Sequence, residues 1–154
     1  MGYIMHLREK IGHEELLTAG TGVFPVRGGK VLLQRRADNG LWTMHGGAIE
    51  IGEVPEDAAK REFFEETGLR ANALELIGVF SGPDTRYTYP NGDKVFIVGI
   101  FYLCTDFSGE VNIDPNEVRE LKWFPLGALP AVEEISPPDR RVFAAFSEFM
   151  KNRL

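Results

Sequence analysis

Tight-turn signals recur along this chain far more often than helix-length connections between strands, and that pattern restricts how its 154 residues can wind. Arg27-Gly28-Gly29-Lys30 separates two strand-like runs, Leu16 to Val26 and Val31 to Arg36. Asp38-Asn39-Gly40 marks a second turn before a short strand, Leu41 to Met44, that runs into Gly46-Gly47. Pro90-Asn91-Gly92-Asp93 joins strands read at Arg86–Tyr89 and Lys94–Asp106, and further strands are read at Ala73–Ser81 and Leu121–Phe124. Helical spacing appears in three places. Ile4, Leu7 and Ile11 share a face over residues 3–12; Pro55 and Gly68 bracket a helix over about 55–67; Val142, Phe143, Phe146 and Met150 share a face within 138–153. Hairpins outnumber strand-helix-strand crossovers, so the expected class is α/β with a β-rich sandwich and a mixed sheet, not a doubly wound fold.

The length fits one domain spanning 1–154, with residues 1–15 as an N-terminal helical extension. Val95 to Cys104 (VFIVGIFYLC) is the longest apolar run, and its ten residues fall far short of the ~20 that a membrane-crossing helix requires. Cys104 is the only cysteine, which forbids an internal disulfide and fits a reducing compartment; its flanks predict a buried thiol. The first residues, MGYIMHLREK, carry no apolar h-region, and His6 stands where a myristoylation motif needs Ser or Thr. A cytoplasmic location is therefore expected. The net charge of −6 argues against a nucleic-acid or membrane partner, although a local metal ion can still admit a small anion.

Chemistry concentrates on the helix at 55–67. Glu62, Glu65 and Glu66 occupy positions i, i+3 and i+4, so three carboxylates share one face, and Glu53 precedes the helix. Like charges at this spacing cost about 0.2–0.5 kcal/mol per pair, so a positive partner is expected. Lys60 and Arg61 lie about 100° or more round the helix from Glu62 and are not expected to sit among the three. A hard divalent cation, Mg²⁺ or Mn²⁺, is the economical partner, because it takes carboxylates together with substrate phosphates. A solvated acidic face is the plainer reading of the spacing alone.

The surrounding residues reduce that ambiguity. Gly47, Glu53, Arg61-Glu62, Phe63, Glu65-Glu66, Gly68 and Leu69 complete the signature G-x5-E-x7-R-E-U-x-E-E-x-G-U, where U is aliphatic or aromatic. At ~7% per fixed position, an accidental match is on the order of one in a million. This stretch resembles the box of the Nudix hydrolases, and no position of it is missing. The resemblance is exact to the pattern over 47–69 and looser over about 18–150. It implies an α/β/α sandwich around a mixed sheet and Mg²⁺- or Mn²⁺-dependent cleavage of a diphosphate linkage in a nucleoside diphosphate derivative. It implies that Glu62, Glu65 and Glu66 bind metal, that Glu53 and Arg61 brace the box, and that the Gly47 backbone lies beside the metal. The base that takes a proton from water is then Glu65, Glu66, or a later loop residue such as Glu117 or Glu120.

Two positions depart from the usual box region. His45 stands where proline is common; it either bonds a phosphate or metal-bound water or faces solvent from a loop. Val54 replaces a capping Ser or Thr, which costs the first turn about 1 kcal/mol. Substrate clues conflict. By the same resemblance, ADP-ribose hydrolases carry a proline about 15 residues after the box and dinucleoside polyphosphate hydrolases a tyrosine about 18 after it. Pro83 and Tyr87 stand fourteen and eighteen residues after Leu69, and a turn and a strand face account for both equally well. Tyr87 is a candidate for stacking on a base, and Arg35, Arg36 and Arg86 for gripping phosphate. The expected activity is a pyrophosphohydrolase for an ADP-ribose-like sugar nucleotide. The alternatives are dinucleoside polyphosphates, nucleoside triphosphates, or a non-enzymatic nucleotide sensor, although sensors usually have eroded box glutamates. His6 and His13 are read as surface residues, and the N-terminal segment as packing on the domain edge or as a homodimer contact.

Overall fold

The computed structural model describes residues 2–153. The helices are α1 (Tyr3–Ile11), α2 (Pro55–Thr67) and α3 (Arg140–Asn152). The strands are β1 (Leu16–Arg27), β2 (Lys30–Arg36), β3 (Trp42–Thr43), β4 (His45–Ala48), β5 (Arg70–Phe80), β6 (Arg86–Thr88), β7 (Lys94–Ser108) and β8 (Val118–Pro125). The expected mixed sheet is present. β1 and β7 run parallel from Leu16↔Val95 to Pro25↔Cys104, and β5 and β6 flank β7 antiparallel. β1 branches: its middle pairs with β4 and its end with β2, which in turn pairs with β3 and β8.

Alternation along these strands builds the layers, because successive side chains point to opposite faces. Val23, Leu32, Tyr102 and Cys104 pack under α2 with Ala59, Phe63 and Phe107. Their chain neighbours Phe24, Leu33 and Leu103 face the other way, against Val142, Phe143 and Phe146 of α3. Phe24 stacks on Phe146 at 4.2 Å between centroids and meets Phe143 edge-on at 5.3 Å. The result is helix, sheet, helix. Among the described residues, no helix is long and apolar enough to cross a membrane.

Boundaries shift where local signals are weak. β5 starts at Arg70, three residues before the expected Ala73, because Gly68 at φ 80° turns the chain directly into the sheet. Pro137–Asp139 forms a separate 3-10 turn, so α3 begins at Arg140 and not at Pro138. As expected from Val54, no side chain caps α2; Glu56 and Asp57 in its first turn favour the helix dipole instead.

Candidate active site

The box folds as strand, loop and helix. Gly46 and Gly47 on β4 pair with Gly22 and Thr21 of β1, which sets β4 beneath α2. A Cβ added to Gly47 would lie 2.6 Å from Cδ of Glu62, so the bare glycine backbone is the seat of that carboxyl. Glu66 turns inward: its Oε1 accepts from Gly46 N–H at 2.8 Å and from Gln34 Nε2 at 2.9 Å. Gln34 is buried and also donates to Met44 O, so it fixes Glu66 to the sheet.

Arg61 is where the structure corrects the sequence reading. Its guanidinium does reach the acidic face, because the side chain is long enough to fold back over the turn. It grips Glu53 through Nε to Oε2 at 2.8 Å and Nη2 to Oε1 at 2.9 Å. It also donates to Glu62 Oε1 at 2.9 Å, to Glu65 Oε2 at 3.4 Å and to Ala48 O at 3.1 Å. Glu53 in turn accepts from Glu50 N–H at 3.1 Å, so Arg61 ties the loop, β4 and α2 together. Lysine has neither the fork nor the reach. Arg61→Lys is expected to lower stability by about 1.5–3 kcal/mol, the worth of charged hydrogen bonds, measured by denaturant melts without metal. An unchanged midpoint would show that Arg61 braces nothing.

One guanidinium reaches three of the four carboxylates and makes no bond to Glu66. Arg61 holds the Glu53 carboxyl well below its usual range. Glu62 is pushed upward, chiefly by burial, with Glu65 and Glu117 adding repulsion. Glu66 is pushed up to about 8 by loss of hydration and by Glu62, against the opposing pull of Gly46 N–H and Gln34. Arg61 therefore leaves negative charge uncompensated where Glu62 and Glu66 meet. Hard oxygen donors with an unmet charge deficit, seated on a glycine backbone, fit a divalent cation. Among the described residues, no three acidic, histidine or cysteine side chains already stand as a formed metal cage.

The other expected residues separate. His45 corrects the sequence reading: it does not face solvent from a loop, and it lines no part of the cavity described below. It pairs with Val23 in the sheet, is fully buried, and packs against Phe63 at 5.8 Å between rings. Nε2 lies 2.8 Å from Leu32 O; a carbonyl can only accept, so Nε2 carries the proton, and burial pushes the imidazole down to about 4. Arg35 is turned to Gly40 O and Glu120, and Arg86 to Glu15 at 2.6 Å; neither lines the cavity described below. Glu120 is thereby paired away from the box, whereas Glu117 lies close enough to Glu62 to raise its pKa.

A cavity of about 480 Å³ adjoins the acidic site through Gln34, Gly46 and Gly47. Arg36 and Tyr87 line it as expected, Arg36 held by Asp38 and Tyr87 Oη accepting from Asn39. Pro83 starts a 3-10 turn and is exposed outside that cavity. Sequence reasoning missed Gln34, Tyr89 and Asp139. Gln34 was legible as the polar residue ending the apolar run Val31–Leu33; Asp139, whose carboxyl accepts from Thr43 at 2.7 Å, followed two prolines and carried no other signal.

A braced acidic helix lies over a glycine strand, beside a cavity walled by the mixed sheet. Comparison with known proteins gives the family. The NUDIX domain model matches residues 16–146, and the chain belongs to that family. It is 48% identical over 102 residues to a MutT-like protein of Streptomyces ambofaciens, covering 66% of this chain and 59% of the relative. It is 35% identical over 104 residues to the ADP-ribose pyrophosphatase of Methanocaldococcus jannaschii, covering 66% and 57%. The chain thus spans a little over half the length of these relatives. The crystal structure of a MutT NUDIX hydrolase from Burkholderia pseudomallei superposes with a TM-score of 0.70 at 30% identity, covering 84% of this chain and 97% of that one.

Proposed function

We propose that the protein is a pyrophosphohydrolase that cleaves the diphosphate linkage of a nucleoside diphosphate derivative, with an ADP-ribose-like sugar nucleotide as the favoured substrate. The observation that carries this reading is adjacency: the Glu62–Glu66 face and the aromatic cavity share Gly46, Gly47 and Gln34 as a common wall. A diphosphate can lie at the carboxylates while its base occupies the side of Tyr87 and Tyr89, whose rings meet edge-on at 4.9 Å. The ADP-ribose pyrophosphatase among the relatives supports the sugar-nucleotide choice.

Glu62, Glu65 and Glu66 would hold Mg²⁺ or Mn²⁺. Bound there, a divalent ion neutralises charge on the bridging oxygens and makes water a better nucleophile. The chain's own residues do the rest. Arg61 and Glu53 keep the loop closed on α2, Gln34 and Gly46 N–H fix one Glu66 oxygen, and Gly47 leaves room for Glu62. Glu65 is exposed and tied only by a 3.4 Å contact, so where Glu62 and Glu66 carry the ion Glu65 is the candidate base; Glu117 is the alternative base from the β8 side.

With Mg²⁺ present, ADP-ribose is expected to yield AMP and ribose 5-phosphate, and to do so faster than diadenosine tetraphosphate or 8-oxo-dGTP. EDTA should stop the reaction. Absence of metal-dependent turnover across the three would overturn the enzymatic reading in favour of a nucleotide-binding module.

A further inference from the structure

The family model begins at residue 16, so α1 lies outside it, yet α1 supplies Ile4 and Arg8 to the cavity beside the acidic site. None of its residues is buried, and its half-buried stripe, Ile4, Leu7 and Ile11, rests on the rest of the molecule. Polar contacts pin it at both ends. Tyr3 N–H donates to Glu50 Oε1 at 2.9 Å, on the loop that carries Glu53. At the other end, Arg8 Nη2 donates to Lys94 O at 2.8 Å, and Arg8 Nε lies 3.7 Å from Asp93, which His13 also bonds at 2.8 Å. The helix therefore spans from the box loop to the β6–β7 hairpin.

We propose that α1 is a substrate-selecting wall: Ile4 bounds the space taken by the uncleaved part of a nucleotide, its base and sugar, and Arg8 is the positioning residue that holds the wall in place. The inference rests on the functional reading above and extends it to selectivity. Charge decides which end of the substrate meets α1. The two terminal nitrogens of Arg8 are taken by the carbonyls of Gly12, Glu14 and Lys94, and its Nε, buried without a hydrogen-bond partner, faces the Asp93 carboxylate at 3.7 Å, which offsets the cation and disfavours phosphate there. The cavity lining also includes Ile4, Pro90, Val95 and Ile97, apolar surface that suits an uncharged ring, whereas the diphosphate is left to the carboxylates beyond Gln34, Gly46 and Gly47. A wall built from a surface helix can be altered without disturbing the sheet.

The test uses the full chain with Ile4→Trp, Ile4→Ala and Arg8→Ala, comparing steady-state rates on ADP-ribose, diadenosine tetraphosphate and 8-oxo-dGTP with calorimetric binding of AMP. Ile4→Trp is expected to raise KM for the preferred substrate about tenfold with kcat within about twofold, the mark of lost ground-state binding. Ile4→Ala and Arg8→Ala should both compress the spread of kcat/KM across the three substrates, Ile4→Ala at a melting temperature close to the parent's and Arg8→Ala at a lower one, since it also gives up the bonds that pin α1. Equal effects on every substrate, or an unchanged KM in a folded Ile4→Trp, would overturn the proposal. Failure of the functional reading shows separately, as no turnover by the parent protein. AMP binding then decides alone: about tenfold weaker binding by Ile4→Trp sustains the wall, and equal binding or none by the parent removes it.

Discussion

Glu66→Gln is expected to reduce Mg²⁺-dependent turnover by roughly 10²–10⁴-fold, the range that loss of one positioned catalytic carboxylate produces, without weakening the metal-free fold. Glutamine keeps an acceptor oxygen for Gly46 N–H and Gln34, the two bonds that hold Oε1. It removes the charge that burial and Glu62 disfavour, which is why the Glu66 carboxyl is pushed up to about 8. Folding should thus be neutral or slightly favoured, and only what the negative charge does for the reaction is lost. Rate assays and thermal melts on one preparation separate the two effects. A fall in both would mean that Glu66 serves the fold, and parental turnover would show that the acidic face is not the reaction centre.

The sheet was legible from turn signals and from the apolar runs of β1, β2 and β7, which are buried on both faces because helices cover both. Val23 and Phe24, or Leu32 and Leu33, go to opposite helices simply because they are adjacent on a strand. The acidic helix was legible from the spacing of Glu62, Glu65 and Glu66, with Pro55 and Gly68 fixing both ends. What the sequence could not disclose were choices between partners. Counting degrees round a helix puts Arg61 off the acidic face, but that rule fixes Cβ positions and says little about where a seven-atom side chain ends. His45 was read as a loop residue because β4 is only four residues long and gives no alternation to read; tertiary pairing with Val23 buried it. Arg35 and Arg86 are candidates for phosphate by charge alone, yet the distant carboxylates of Glu120 and Glu15 claim them, with the nearby Gly40 carbonyl also holding Arg35. The cavity wall from α1 is of the same kind, since it depends on Tyr3 finding Glu50, 47 residues away.

The adjacent glycines of β4 should respond in opposite ways to the same added methyl group. A Cβ at Gly46 would lie 1.9 Å from Thr21 O and 2.7 Å from Gly22 Cα, both backbone atoms of β1. Neither can yield unless β4 separates from β1, and that would break the Gly22↔Gly46 pairing and carry away the N–H that holds Glu66. Gly46→Ala is therefore expected to cost about 3 kcal/mol or more, the upper end of overpacking. For a chain of this size that lowers Tm by roughly 6–12 °C. The three atoms nearest a Cβ at Gly47 all belong to the carboxyl end of Glu62, at 2.6 to 2.8 Å, which can swing aside by rotating its own bonds. Gly47→Ala should accordingly melt close to the parent while turnover falls roughly 10²-fold, the penalty for a catalytic group displaced by about 1 Å. Calorimetry and rate measurements on the pair distinguish the cases. If Gly47→Ala retained full activity, the seat that the bare backbone provides for Glu62 would have no part in the chemistry, and the charge deficit at the acidic face would need another explanation.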